Sequence, residues 1–356
     1  MRSFKVVLLS FVVCSLFAQM IFAQDAAAAE KVYKWRAVSH QMVGTTRYNE
    51  TVVPFCEMVA KASNGRLIIE PYGAGVLFPA SETFDAVADG MVEMAMIWSG
   101  FWGSKHPLFV IASGRPGGPI RTYNESFYRA ERTFPLIDKL YTKFGIKFLG
   151  AFDYNPAEII MGRIPIRSVE ELKGKNIRAA GLSAPFYTKL GASVVQLSAP
   201  ELYQAMQLGT VDLVEYNDWQ VNKEMALDEV TKYVMLPAMH GDVADDKDLI
   251  VNPKAWESLP EDLKAIVLAC RDMARYKSAV AFGAGGDVAR QKWVDRGIEI
   301  INFSEEDVNK LRQVGVELLL EASAKNAEVK EYVDEYAKVL AELGYTKEAT
   351  ELGYKK

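Results

Sequence analysis

Apolar positions along the chain switch between two spacings. Short runs rich in β-branched residues predict strands over 32–38, 66–70, 92–98, 176–179, 194–197 and 211–216. Between them, helical spacing through Phe55, Val59 and Ala60 predicts an amphipathic helix with Pro54 at its start or at a kink and Asn64-Gly65 at its end. Ser168-Val-Glu-Glu171 and Ser198-Ala-Pro-Glu201 have the pattern of capping boxes, and Ser183-Ala-Pro185 opens a helix that Gly191 ends. Strands alternating with helices imply mostly parallel sheets. The last third is helical. Ser258-Leu-Pro-Glu261 is expected to cap a helix through Leu263, Val267 and Cys270 that continues, kinked near 283–286, to about Trp293. Ser304-Glu-Glu-Asp307 starts another.

One pattern occurs twice. Residues 82–93 and 201–212 share E-x-[FY]-x-A-x-x-x-G-x-V-[DE] at an offset of 119 residues. Each copy reads as a short helix, a glycine that ends it, and a strand. The repeat predicts two lobes with one α/β plan. Residues 31–152 with about 238–285 are assigned to lobe 1, 153–237 to lobe 2, and 286–356 to helices packing across both.

Length agrees, since 356 residues suit two domains at roughly 100–200 residues each. The first 23 residues carry Arg2 and Lys5, then an apolar run and Ala23, which is the pattern of a cleaved secretory signal peptide. Without them 39 basic residues face 46 acidic ones, a balance of -7 that excludes a basic groove for nucleic acid. Three cysteines exclude a cysteine-built metal site. Export leaves Cys56 and Cys270, read as buried free thiols, with a disulfide between them left open. Three scattered histidines and the absence of H-E-x-x-H, G-x-S-x-G and P-loop motifs argue against an enzyme.

In open parallel sheets, ligands bind beyond the carboxyl ends of strands, so two facing lobes form a cleft there. Arg178 ends one predicted strand, and Glu215, Tyr216 and Asn217 end another. Trp98 is the repeat-equivalent of Asn217, with Trp102 after it. Tyr154, Asn155 and Glu158 follow the crossover between lobes, and Trp219 follows Asn217. A guanidinium offers a permanently charged planar fork that matches a carboxylate. Glu215 suits a cation, a ligand hydroxyl or an ion pair with Arg178, and the aromatic residues suit either a pocket wall or the core.

Several stretches, in this order and spacing, resemble the periplasmic solute-binding proteins of TRAP (tripartite ATP-independent periplasmic) transporters, the DctP type. They are Asn64-Gly-Arg-Leu with Pro71-Tyr-Gly-Ala-Gly, Phe84-Asp-Ala-Val-Ala-Asp-Gly90, and Pro165-Ile-Arg-Ser-Val-Glu-Glu-Leu-Lys-Gly-Lys-Asn-Ile-Arg178. Gly209-Thr-Val-Asp-Leu-Val-Glu215-Tyr and Leu259-Pro-Glu-Asp-Leu263 follow. The resemblance implies a two-lobed α/β receptor of the periplasmic binding protein fold, with its cleft between the lobes and a helical C-terminal region. Such a receptor closes on an organic acid and hands it to membrane permease subunits.

In that family the arginine matching Arg178 makes the two-pronged contact to the ligand carboxylate, and the pair matching Glu215-Tyr216 lies at the site. The pattern is closest to the branch that binds 2-oxo and 2-hydroxy monocarboxylates. There Glu-Trp and an upstream glutamine help bind a metal ion. Here the place of that glutamine falls near Ala157, beside Glu158, and Tyr216 replaces the tryptophan. Glu215 is thus the one carried-over candidate for a sodium or calcium ion bridging the ligand, and no other cofactor is expected. Trp98, Trp102 and Trp219 suggest an acid with an aromatic or bulky apolar side chain. A sulfonate ligand, a sensor-input role for the same fold, an exported enzyme and a homodimer stay open as alternatives.

Overall fold

Each of the six segments expected to be strands folds as one. The computed structural model describes residues 31–355 apart from 155, 157, 240 and 242–246, so the expected leader over 1–23 lies outside the described residues, as do Asn155 and Ala157. The first half holds β1 (Tyr33–Ser39), α1 (Val53–Ala62), β2 (Leu67–Tyr72), α2 (Thr83–Ala88), β3 (Met94–Ile97), α3 (Pro107–Gly114), α4 (Tyr123–Lys143) and β4 (Lys147–Asp153). Then come β5 (Ile160–Gly162), β6 (Asn176–Arg178), α5 (Ser183–Lys189), β7 (Ser193–Val195), α6 (Leu202–Leu208), β8 (Leu213–Glu215), α7 (Trp219–Glu224) and β9 (Tyr233–Leu236). The chain ends with β10 (Lys247–Val251), α8 (Pro253–Ser258), α9 (Glu261–Asp295), β11 (Glu299–Asn302), α10 (Glu305–Lys325), α11 (Ala327–Glu342) and α12 (Thr346–Glu351).

The strands form two sheets of one design. Lobe 1 has the order β2-β1-β3-β10-β4, and lobe 2 has β7-β6-β8-β5-β9-β11. In each, the first three strands are parallel and the fourth is antiparallel to both its neighbours. That fourth strand is exchanged between halves: β5 follows β4 of lobe 1, and β10 follows β9 of lobe 2. The sequence repeat maps onto α2–β3 and α6–β8. Gly90 (φ 75°) and Gly209 (φ 79°) hold the left-handed conformation that ends each helix, where a Cβ is strained.

Both sheets are covered on both faces, which explains their continuous apolar strands. Successive side chains on β3 point to opposite cores. Ala95 and Ile97 join Phe84, Tyr141 and Tyr332, while Met94 and Met96 join Phe55, Val59 and Val267. In β8, Leu213 packs with Phe186 and Ile301, and Val214 packs with Met206 and Trp293.

Helix α9 ties the lobes together. Its 35 residues span about 50 Å. Leu263, Val267 and Ala274 enter a lobe 1 core, and Ala289 and Trp293 enter a lobe 2 core. Residues 285 and 286 are consecutive residues of its interior. After it, α10 places Leu311 and Leu318 on lobe 2, and α11 places Val329 and Tyr336 on lobe 1.

Two expected caps differ. Ser198 and Glu201 form the capping box, but Ser168 makes no capping bond; Glu171 instead accepts from the backbone N–H of Arg167, at 2.8 Å. Ser258 ends α8 and donates to the carbonyl of Ala255, and α9 starts after Pro260 without a side-chain cap. Proline in front of the helix sets the chain direction there. Cys56 and Cys270 are free and buried in one core.

Candidate functional site

The central parallel strands end at Ser39 and Ile97 in lobe 1 and at Arg178 and Glu215 in lobe 2. Loops after these ends face one another across the lobes. Because β5 and β10 run antiparallel, the residues leading into them arrive at the same edges. Together they enclose a cavity of about 560 Å³. Of the ten sequence candidates, Asn155 lies outside the described residues and seven line it: Arg178, Glu215, Tyr216, Asn217, Trp98, Glu158 and Trp219.

Trp102 and Tyr154 stand outside the lining. Trp102 is on a 3₁₀ turn and points into lobe 1, its ring 5.4 Å from that of His40 and its Nε1–H donating to the carbonyl of Ser81 at 3.3 Å. Tyr154 turns its ring against Tyr123, and its backbone N–H donates to Ser278 Oγ at 2.8 Å.

Arg178 is buried, with 7% of its surface exposed. Its Nε donates to the carbonyl of Leu197 at 3.1 Å, and Nη1 donates to the carbonyl of Glu215 at 2.6 Å. The Glu215 carboxylate lies 3.7 Å from Nη1, and the Tyr216 ring centroid lies 5.2 Å from Cζ, within cation–π range. Nη2 makes no hydrogen bond among the described residues and is left to the cavity. Two backbone carbonyls and the Glu215 carboxylate thus hold the side chain.

The loop after β8 is equally fixed. Asp218 caps α7, its Oδ1 accepting from the backbone N–H groups of Gln220 at 2.8 Å and Val221 at 3.1 Å. The Asn217 carbonyl accepts from Asn222 Nδ2 at 2.5 Å and from the N–H of Ile159 at 3.2 Å.

The described lining carries four basic side chains (Arg121, Arg178, Lys247, Arg290) against three acidic ones (Glu158, Glu215, Asp287), a surplus of one positive charge. Burial raises the Tyr216 hydroxyl above its usual range despite the opposing Arg178, so it stays a neutral donor and acceptor. Tyr187 is pushed well above its range by burial, then by Glu215 and Glu158. Burial and the nearby Lys247 push His40 down to about 3, so its imidazole is neutral. Among the described residues no three His, Cys, Asp or Glu side chains gather into a metal-sized group.

Sequence reasoning missed His40, Gln41, Phe101, Arg121, Lys247 and Met239, all in the lining. The strand-end rule that found Arg178 finds His40 and Gln41 when applied to β1. Lys247 begins an antiparallel strand, so it reaches the cavity edge by its amino end, which that rule does not cover.

The description of one family matches residues 38–326: bacterial extracellular solute-binding protein, family 7, DctP. The chain belongs to this family. A monocarboxylate 2-oxoacid-binding periplasmic protein of Nostoc is 24% identical over 323 residues, covering 90% of this chain and 88% of that protein. A TRAP periplasmic solute-binding protein from Colwellia psychrerythraea, solved with bound calcium and pyruvate, is similar in structure. Its TM-score is 0.80 at 22% identity, covering 88% of this chain and 96% of the other. A TRAP solute-binding protein from Bordetella bronchiseptica was solved as a mixed-occupancy dimer with copurified calcium and picolinate. It gives a TM-score of 0.77 at 21% identity, with 89% and 94% covered. The DctP chain described here thus has the two-lobed solute-binding fold. No helix among its described residues is long and apolar enough to cross a membrane.

Proposed function

We propose that this DctP chain is the periplasmic receptor of a TRAP transport system, and that it binds an organic acid and delivers it to the membrane permease subunits without chemical change. One observation carries the reading: Arg178 is buried at the cavity with two nitrogens tied to backbone carbonyls and the third left to the cavity. A guanidinium so held is oriented before the ligand arrives, which lowers the entropy cost of binding. The surplus of one positive charge among the described lining residues suits a monocarboxylate. A volume of about 560 Å³ falls in the range of roughly 300–1,000 Å³ that holds drug-sized ligands, and Trp98, Phe101, Tyr216 and Trp219 supply flat apolar walls. This favours an acid with an aromatic or bulky apolar body.

Binding needs no catalysis. A ligand touching both lobes shifts their population toward the closed form. Closure expels water, and the arginine–carboxylate pair strengthens in the lower dielectric. Each charge-assisted hydrogen bond contributes roughly 1.5–3 kcal/mol.

A calcium or sodium ion beside the ligand is part of the proposal in a limited form. Glu215 and Glu158 both line the cavity and both act on Tyr216 and Tyr187. Two carboxylates alone do not fill the shell of Ca²⁺, which takes 6–8 oxygens. Carbonyl oxygens, water or the ligand would have to complete it, and the ion would then neutralise charge between ligand and protein.

A thermal-shift screen tests the proposal. The mature protein is heated with 2-oxo, 2-hydroxy, amino, aromatic and dicarboxylic acids and with sulfonates, each with and without Ca²⁺ or Na⁺. Ligand at ~100 times its Kd adds about 2.7 kcal/mol, which moves the midpoint by roughly 2–4 °C per kcal/mol or somewhat less in a longer chain. A rise with a monocarboxylate is expected. A flat response to every acid contradicts the reading.

A further inference from the structure

An acid held by Arg178 alone touches lobe 2 only and does not draw the lobes together. Closure needs a group of lobe 1 that meets the same ligand. Three other basic side chains line the cavity among the described residues. Arg290 stands at an exposed position in the lobe 2 half of α9. Arg121 turns its guanidinium onto its own loop. Nη1 donates to the carbonyls of Gly118 at 2.9 Å and Ile120 at 2.8 Å, and Nη2 lies 3.3 Å from Met239 Sδ. Lys247 opens β10, the exchanged strand of lobe 1. Its backbone N–H donates to Asp153 Oδ1 at 3.3 Å, where the neighbouring β4 ends.

The lobes already touch beside Arg178. A Cβ at Gly181, which has φ +56°, would fall 2.9 Å from Trp98 Cη2 of lobe 1, and the backbone N–H of Trp98 donates to His40 Nδ1 at 3.1 Å. The Lys247 charge reaches both of these walls. Burial holds the His40 imidazole low, and Lys247 acts in the same direction. Burial raises the Tyr216 hydroxyl of lobe 2, and Arg178 and Lys247 both oppose it. Glu158 and Glu215 act on that hydroxyl too, so two cations and two carboxylates of the lining surround Tyr216. These are the carboxylates an ion would use, and a positive charge of the protein's own stands with them. An ammonium is a compact charge with three donors and no acceptor. It pairs with a carboxylate without the further oxygens that an ion's shell needs.

We infer that Lys247 is the lobe 1 anchor of the bound acid, supplying beside the carboxylate the positive charge that a metal ion would otherwise bring, so that binding requires no ion. The inference rests on the reading of this cavity as an organic-acid site. It makes the ion of that reading a substitute for the ammonium and not a companion to it. Each lobe then offers one basic side chain to the same anion, Arg178 from lobe 2 and Lys247 from lobe 1. The ligand interacts more strongly with the closed form than with the open one, which is the differential affinity that a population shift requires. Closure brings the two cations nearer each other, and the anion between them offsets their repulsion.

The test uses the mature chain, Lys247→Gln and Lys247→Met. The probes are pyruvate, phenylpyruvate and benzoate or, if none of these binds, the acid with the largest shift in the thermal screen. Each is titrated by calorimetry in potassium buffer with a chelator, then with Ca²⁺ or Na⁺ in place of the chelator. The wild-type dissociation constant should change by less than about twofold between these buffers. Both variants should bind at least about tenfold more weakly in the chelator buffer, the loss of one charge-assisted hydrogen bond. A larger gain of wild-type affinity with Ca²⁺ or Na⁺ overturns the inference, and so does wild-type affinity in a folded variant. Either result leaves the receptor reading standing. The comparison of buffers needs no variant, so it decides the matter even where neither variant folds. A wild-type chain that binds no acid of the screen in any buffer contradicts the receptor reading, and the role of Lys247 falls with it.

Discussion

Arg47 of lobe 1 and Asp218 of lobe 2 form an ion pair across the lobes, with both side chains only 1% exposed. Arg47 also lies 3.7 Å from Asp153 Oδ2, donates to the carbonyl of Tyr154 at 3.3 Å, and places Cζ 4.4 Å from the ring centroid of Phe282 in α9. Asp218 is three residues beyond Glu215. One arginine thus joins the loop after β8 of lobe 2, the crossover after β4 and the helix that spans both lobes.

Breaking this pair from the acidic side should be costly, because it strands a buried charge. Asp218→Asn retains an oxygen to cap α7 and removes only the charge, while Asp218→Ala removes the cap too. Loss of one partner of a buried pair costs about 3–5 kcal/mol. The cap adds about 1 kcal/mol. Urea denaturation should rank wild type above Asp218→Asn above Asp218→Ala. A loss under about 1 kcal/mol for Asp218→Asn would show that Asp153 alone satisfies Arg47.

His40 should make the fold sensitive to acid. Its folded pKa, about 3, is below its unfolded value of 6.5. The unfolded chain therefore binds a proton that the native chain refuses, so stability is complete above about 6.5 and falls as pH drops toward about 3. The contribution has a limiting slope of about 1.4 kcal/mol per pH unit. His40→Asn keeps an acceptor for the Trp98 N–H and does not titrate. Its stability should fall less steeply across that window, and an unchanged slope would show that His40 is not the group involved.

Gly181→Ala tests the contact between the lobes at the cavity. A non-glycine residue in the left-handed region costs about 1–2 kcal/mol of stability. The new methyl group also displaces Trp98. Ligand affinity should therefore fall, with a change in tryptophan emission of the free protein. Retained affinity and emission would mean that the indole adjusts without effect.

The two thiols should be inert in the native state. Burial pushes Cys56 up to about 12 and raises Cys270 as well, and the thiolate is the reactive form. An aromatic disulfide reagent at pH 8 should label neither until urea is added, then both. Rapid labelling of the native protein would contradict the packing of α1 against α9.

The sequence repeat exposed the shared plan of the lobes because glycine and alanine at fixed places are demanded by a helix end and its close packing. The parallel strands β1–β3 and β6–β8 were legible from their apolar runs, whereas β4 and the parallel pair β9 and β11 were not predicted. The antiparallel strands β5 and β10 were not: β5 is three residues long, and β10 follows an acidic stretch that masks its period. For the same reason Lys247 was missed. Arg178, Glu215 and Tyr216 line the cavity, and the strand-end rule and the family resemblance both point to them. Trp102 and Tyr154 were misjudged because an aromatic residue near a strand end packs inward or outward according to a local turn that composition does not encode.

The most direct test of the account is titration of one acid from the thermal screen into wild type, Arg178→Lys and Arg178→Ala. Lysine keeps the charge but loses the fork, and alanine also frees the carbonyls of Leu197 and Glu215, so the alanine variant should be less stable as well. The account predicts a loss of at least about 100-fold in affinity for Arg178→Lys in a folded protein, corresponding to roughly 3 kcal/mol. Wild-type affinity in a folded Arg178→Lys or Arg178→Ala protein would contradict it.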